Sequence, residues 1–461
     1  MANIFNTEDS VFFVGGPTTQ VGNALAGGCT KAWYDANFVN LLSIMTNDGS
    51  PLIEVTGGTP SGGNTLTKAG AFANAEVGMV AYLSGTNVPD TGRYKILTVP
   101  DSDTITFDAG TFDGTTADVV CNIGGAFDSL QNASDDTTAA NHNVIIFTNK
   151  DEDLRAASTI DFDVGGGNES IDTWKRIIGI DNNGDVLTGS LNNAVSFNGY
   201  GTITGDDILD VSVSNVHLKR LSTGSTKGTG AGLKISSSGV RYNTKVEGCT
   251  LDGYYGYYNT SFSHNGVEFI NCKFEGTRIF SSNLKQHVFK NCTFSQITGN
   301  GVDIQKDSTF TGCTFFLGSY GIYKTGDGRL TVQDCSFHGQ TVSGIYLNHS
   351  SGSVSVTNCI FDEMAISDKA IEINAGSMSF ADYNCAYSSF AGAPLTTPWP
   401  EAYGSHENSI EDDPQFVSAT DFRLKPGSPC LNTGKSTLED GYISMGAWQK
   451  KQGSSRSMET K

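Results

Sequence analysis

The chain has 461 residues, 55 of them glycine, with 17% charged and 38% hydrophobic residues and a formal charge of −20 at pH 7. That charge excludes partners that select basic surfaces, nucleic acid and anionic membranes among them, and leaves neutral glycans, cations and other proteins. No apolar run is long enough to span a bilayer, so no membrane insertion is expected. Many glycines with few charges point instead to an all-β protein rich in tight turns.

Met1 to Asp9 has neither the basic n-region nor the apolar h-region of a secretory signal peptide. The expectation is a chain assembled in the cytoplasm where it is made, released by lysis or a specialised route. Residues 1–50 hold a Gly15-Gly16-Pro17 turn and a possible helix from Lys31 to Met45. They read as an attachment segment or as a cap over the end of a core.

Residues 51–123 form a small β module of short strands between Gly, Asn and Pro turns. Its strands are carried by Leu66 to Phe72, Val77 to Asn87, Gly92 to Ile96 and Thr104 to Asp108. Next, Gly124-Gly125-Ala126-Phe127-Asp128-Ser129-Leu130 predicts a short helix capped by Asp128 or Ser129. The strand Val144-Ile145-Ile146-Phe147 follows it.

From here a repeat takes over. Cys249, Cys272, Cys292, Cys313, Cys335, Cys359 and Cys385 are spaced by 23, 20, 21, 22, 24 and 26 residues. One phrase surrounds them, as in Phe269-Ile-Asn-Cys272-Lys-Phe274, Phe289-Lys-Asn-Cys292-Thr-Phe294 and Val356-Thr-Asn-Cys359-Ile-Phe361. A period in the low twenties predicts a solenoid in which each coil is one rung. Cys and the Phe two positions later share a strand face, whereas the apolar residue three before Cys cannot unless the chain bends between them. The intervening residue is always Gly, Asn or Asp (Gly248, Asn271, Asn291, Gly312, Asp334, Asn358, Asn384), the types that tolerate the left-handed region. One such residue per coil turns the chain and resets its inward face, and stacked Asn side chains there can form a ladder. The prediction is a right-handed parallel β-helix from about Asn143 to Asp382, within a solenoid domain at 124–400.

The cysteines are expected to form one inward column of reduced, small apolar fillers. Parallel neighbours ~4.8 Å apart with parallel Cβ vectors do not suit disulfides. No metal is expected, since no Cys-x-x-Cys or Cys/His cluster is present and Asp181-Asn182-Asn183-Gly184-Asp185 lacks the spacing of a calcium loop. No cofactor is expected either. A second inward strand follows in each coil, at Gly301-Val302-Asp303-Ile304, Gly321-Ile322-Tyr323, Gly344-Ile345-Tyr346-Leu347 and Ala370-Ile371-Glu372-Ile373.

Alternation on these strands predicts an outward column of Tyr258, Arg278, Asp303, Tyr323, Tyr346 and Glu372. The cluster Tyr254-Tyr255-Gly256-Tyr257-Tyr258 adds Tyr254 and Tyr255 to the candidate surface. Aromatic and polar groups on a flat lateral face suit glycan contact, and equally a stabilising ladder or a subunit interface. Asp303 and Glu372, three rungs apart, stand about 14 Å from each other at ~4.8 Å per rung. That is beyond the roughly 5–9.5 Å of a glycosidase carboxylate pair. Arg278 beside Asp303 would place a cation next to a base, as a lyase needs, or form an ion pair between rungs.

The chain closes with Asp413-Pro414-Gln415-Phe416, Asp421-Phe422-Arg423-Leu424, Gly427-Ser428-Pro429-Cys430 and Gly446-Ala447, then a polar tail, together a closing segment over 401–461. This phrase is similar to the ending of many right-handed β-helix proteins. The helix before the first strand looks like the cap of the pectate-lyase-like superfamily, and residues 51–123 resemble a module that precedes β-helices in phage and environmental bacterial proteins. Polygalacturonase motifs are absent apart from Gly205-Asp206-Asp207. The resemblance implies a virion appendage, a tail spike, fibre or capsid-surface protein, built as a homotrimer and contacting host glycans or other virion proteins. The alternative is a polysaccharide lyase or glycoside hydrolase, which the missing catalytic pair disfavours.

Overall fold

A computed structural model describes residues 10–14, 29–30, 53–124, 143–149, 160–162, 173–180, 195–197, 207–223, 230–236, 243–259, 266–275, 278–281, 286–295, 301–364, 369–387, 398–400, 406–418, 421–435, 442–443 and 445–446, with Phe127, Leu130, Ala133 and Ser134. The possible helix at 31–45, the Asp181 to Asp185 turn and the polar tail lie outside these residues. The chain divides into two compact units, 1–224 with 241–250, and 225–240 with 251–461.

In the first unit, Ser10–Val14 lies parallel to Val144–Asn149, which pairs in turn with Lys175–Ile180, Val216–Lys219 and Thr244–Glu247. Two further parallel columns complete the coils, Ile160–Phe162 with Leu209–Val211 and Val195–Phe197 with Leu221–Thr223. The β module is a separate antiparallel sheet in the order Gly92–Lys95, Val80–Ser84, Val119–Ile123, Ile53–Ser61, Thr65–Thr67, Thr104–Thr106, Thr98–Asp101. Its buried Leu66, Phe72, Leu83, Ile105 and Phe107 share one apolar cluster with Val11, Phe13, Ile145 and Phe147 of the first coils. The buried Arg93 guanidinium sits over the rings of Phe12, Tyr82 and Phe127 at 5.2, 5.5 and 5.2 Å, a cation–π contact. Of the expected capping helix, Leu130, Ala133 and Ser134 are helical and buried, and the Phe127 amide donates to the Phe13 carbonyl.

In the second unit each coil has three parallel strands. One column runs Ala231–Ile235, Tyr255–Asn259, Arg278–Ser281, Val302–Ile304, Tyr320–Lys324, and the first halves of the long strands Ser343–Thr357 and Lys369–Asp382. Val267–Ile270, Gln286–Lys290, Asp307–Thr311 and Gly328–Gln333 begin the second, completed by the second halves of those long strands. Lys273–Glu275, Thr293–Ser295, Thr314–Phe316, Ser336–His338, Ile360–Asp362 and Cys385–Ala386 form the third.

The bend between the second and third strands falls where the sequence places it. Gly248, Asn271, Asn291, Gly312, Asp334 and Asn358 have φ of 60, 52, 52, 65, 54 and 57°. Glycine at 312 has a further cause: a Cβ there would meet the Asn291 Oδ1 atom at 2.4 Å. Part of the expected amide ladder is present, since Asn358 Nδ2 donates to Asp334 Oδ1 at 3.0 Å. Inside the coils the aromatic rings stack in register. Phe274, Phe294, Phe315, Phe337 and Phe361 form one ladder with centroids 4.8, 4.6, 4.5 and 4.6 Å apart.

The described cysteines are free and buried, and Cys272, Cys292, Cys313, Cys335 and Cys359 follow one another in register. Each thiol lies 3.2–3.5 Å from the carbonyl oxygen two residues before it. Cys385 departs from the expectation that it continues the column. It pairs with Ile360, one position later, and the left-handed residue of that coil is Tyr383 (φ 57°), not Asn384. Asn384 takes the cysteine place, buried, with its Oδ1 accepting from the Cys359 amide at 2.9 Å and its Nδ2 donating to the Val356 carbonyl at 3.2 Å. An amide that fills both roles satisfies backbone groups no further coil would reach. The displaced Cys385 joins Ile360, Phe416, Cys430 and Met445 in a closing cluster.

Burial pushes the Cys292 and Cys335 thiols well above the ordinary value. A thiol-reactive dye should therefore label the buried cysteines only slowly in native protein. Denaturation without reductant should expose all ten cysteines of the chain. A shortfall traced to a disulfide among Cys249, Cys272, Cys292, Cys313, Cys335, Cys359 and Cys385 would contradict the column geometry.

Candidate functional site

The lateral face of the second unit carries the outward column, and its register can be read from the strand pairing. Lys234 is opposite Tyr258, Tyr258 opposite Phe280, Phe280 opposite Asp303, then Asp303, Tyr323, Tyr346 and Glu372 in succession. Phe280, not Arg278, therefore occupies this column. The two residues Tyr255 and Tyr257 face Arg278 and Ile279, a bulge at Gly256 that shifts the register by one. Arg278 is opposite Tyr255, and the register neighbour of Asp303 is Phe280.

Inward neighbours hold the column in place. Val302, Ile322, Ile345 and Ile371 are fully buried in register, and so are Ile304 and Leu347. Gly344 permits this approach, because a Cβ there would meet the Phe361 ring at 2.4 Å and the Ala370 carbonyl at 2.8 Å.

Tyr323 and Tyr346 stack with centroids 5.1 Å apart and planes 3° from parallel. Tyr320, which alternation alone would turn inward with Ile322, is half-buried at the strand entry. Its ring leans on both, at 5.0 and 5.2 Å. The sequence reading missed it, since parity does not govern a residue that is just leaving a turn. The faces of Tyr323 and Tyr346 thus cover each other, and the ladder presents edges and hydroxyls outward. Asp303 closes one end and receives a hydrogen bond from Thr325 Oγ1 at 2.8 Å. Glu372 closes the other, 3.4 Å from Lys369 Nζ. Partial burial, then Tyr323 and Glu372 nearby, raise the Tyr320 and Tyr346 hydroxyls above the ordinary phenol value, so both remain protonated donors. The result is a strip of tyrosine hydroxyls between two carboxylate acceptors on one sheet.

A second aromatic group lies on the same column. Tyr254, Tyr255 and Tyr258 are half-buried, with Tyr254–Tyr255 at 4.8 Å and Tyr255–Tyr258 at 4.7 Å. Tyr257 turns inward, fully buried, where its hydroxyl meets His287 Nε2 at 3.3 Å and receives a hydrogen bond from Asn259 Nδ2 at 3.1 Å. Asp303 and Glu372 remain three coils apart, about 14 Å at ~4.8 Å per coil. They do not make a hydrolytic pair.

Residues 262–397 match the family model described as right handed beta helix region. This part of the chain is a right-handed parallel β-helix, the fold its repeat predicts. Among solved structures the chain is similar to pectate lyase Pel9A, at 12% identity over 70% of this chain and 92% of that one, with a TM-score of 0.43. It is also similar to the tailspike protein gp49 from Pseudomonas phage LKA1, at 12% identity over 78% of this chain and 66% of that one, with a TM-score of 0.25. None of the curated proteins matches the chain.

Proposed function

We propose that this protein is a carbohydrate-binding β-helix that contacts glycan along the strip from Asp303 to Glu372 and does not cleave it. The observation that supports this reading most is the stacked Tyr323–Tyr346 ladder, flanked by Tyr320 and ended by two carboxylates. Phenol hydroxyls and carboxylates on a rigid sheet match the hydroxyl groups of an extended sugar chain without ordering any loop. A net charge of −20 favours a neutral glycan over an acidic one. The more specific reading is a virion appendage, a homotrimer whose long lateral faces pack side by side and meet host glycan or other virion proteins. The rival is a polysaccharide lyase or hydrolase.

Affinity electrophoresis against neutral and acidic polysaccharides tests the first part. At least one neutral polysaccharide should retard the protein, and Tyr346→Ala should weaken that binding about five- to tenfold, the equivalent of ~1 kcal/mol for a lost contact. Light scattering should return the mass of a trimer, and assays for reducing ends and unsaturated products should stay flat. A monomer that releases oligosaccharides would overturn the reading in favour of the enzyme.

A further inference from the structure

The third strand column of the second unit carries an outward row that the sequence does not advertise. Ser295, Phe316, His338 and Asp362 follow one another in register, and Glu363 comes next to Asp362 at a left-handed position (φ 53°). Phe416–Ser418 and Asp421–Leu424 of the closing segment form a hairpin, and Phe422 from it contacts Phe316 and His338. Between the hairpin and the row lies a cleft of about 340 Å³ whose lining includes His338, Asp362, Glu363, Asp413, Ser418 and Lys425.

The His338 ring is fixed from two sides. It stacks on Phe316 at 5.4 Å and meets Phe422 edge-on at 5.1 Å. Its Nε2 lies 2.9 Å from Glu363 Oε2, an N–H donor facing a carboxylate. In the neutral ring with its proton there, Nδ1 carries the lone pair. That Nδ1 atom is buried without a hydrogen-bond partner, and it stands 3.6 Å from Asp362 Oδ2. The His338 and Asp362 side chains are only 3% and 4% exposed. An imidazole lone pair and a carboxylate facing each other out of water repel, unless something positive lies between them. The separation exceeds an N–H···O bond. It does suit two ligands of one cation, since ligands about 2.1 Å from zinc at a tetrahedral angle are ~3.4 Å apart.

We infer that His338 and Asp362 form the anchoring pair of a divalent transition-metal site. Glu363 orients the imidazole from its far nitrogen, the usual arrangement of a carboxylate behind a metal-bound histidine. Candidate ligand atoms of all three residues lie within 4.8 Å of one another. The remaining positions open on the cleft, where Asp413 and Ser418 supply oxygen. Three carboxylates line it against one cation, Lys425, so its charge favours a bound positive ion. An imidazole nitrogen among the donors selects zinc-like ions over calcium, which takes oxygen ligands in larger number. The ion would tie two adjacent coils to the closing segment.

The test uses the full chain stripped with chelator and then titrated with zinc chloride, read by calorimetry and by metal analysis after desalting. The expected result is one zinc per chain and a thermal midpoint that rises with zinc. Asp362→Asn, nearly isosteric, should weaken binding by about 30-fold or more and abolish the zinc-dependent rise, and Glu363→Gln should weaken it by about tenfold, within the range for groups supporting a metal ligand. His338→Ala also removes a packed ring, so circular dichroism must show each variant folded before its affinity is read. No zinc retained by the folded protein would overturn the assignment. So would Asp362→Asn binding as tightly as the parent, or calcium binding in preference to zinc.

Discussion

Asn358→Val is expected to destabilise the protein by about 3–5 kcal/mol, more than the same change at any other turn of the repeat. Two effects add. The residue is fully buried at φ 57°, where a β-branched side chain is strained by ~1–3 kcal/mol. Its amide also makes three hydrogen bonds: Nδ2 to Asp334 Oδ1 at 3.0 Å and to the Lys435 carbonyl at 2.8 Å, with Oδ1 accepting from the Lys435 amide at 2.6 Å. This one side chain therefore fastens the closing segment to the coil 77 residues earlier in the sequence. Asn291→Val is the comparison, because Asn291 has the same backbone (φ 52°) on an exposed corner and should lose only ~1–3 kcal/mol. Asn358→Gly separates the terms, removing the strain while still losing the hydrogen bonds. Denaturant midpoints decide the matter. Equal losses for the two valine variants would remove the Lys435 tie, and unchanged midpoints would remove the turn argument altogether.

Phe315→Ala is expected to cost about 3–5 kcal/mol, the range for truncating a buried phenylalanine. Phe315 sits in the middle of the ladder, 4.6 Å from Phe294 and 4.5 Å from Phe337, with planes 5° and 2° from parallel. Neither neighbour can move into the vacated space without leaving its own coil register, so the cavity persists. In a solenoid each coil is stabilised by its neighbours alone, and the loss is therefore local. Cys313 and Cys335, buried on the same and the following coil, should become reactive to thiol reagents in the variant before global unfolding. Phe315→Leu, which keeps more of the volume, should cost less than the alanine change. A loss for Phe315→Ala below ~1 kcal/mol would mean that the coils relax far more freely than close packing allows.

The sequence by itself determined the architecture of the coils. A fixed phrase of apolar, turn-permissive, Cys and Phe residues recurs every twenty-odd positions, and each of its places has a local meaning. The turn residue must accept positive φ, the Cys and Phe must share a face, and an equivalent phrase must stack on the next. All of these are short-range constraints, so they were legible without coordinates. The inward positions of Val302, Ile322, Ile345 and Ile371 and the outward ones of Asp303, Tyr323, Tyr346 and Glu372 followed from the same alternation. Tertiary structure decided whatever depends on one coil being longer than its neighbour. The bulge at Gly256 put Phe280 in the column in place of Arg278, and the shift at Tyr383 put Asn384 in place of Cys385. Register between rungs is set by backbone hydrogen bonds across coils, which a single coil's sequence does not contain. The same holds for His338 beside Asp362. They are 24 residues apart in the chain and belong to no motif, and they become neighbours only because consecutive coils stack in register.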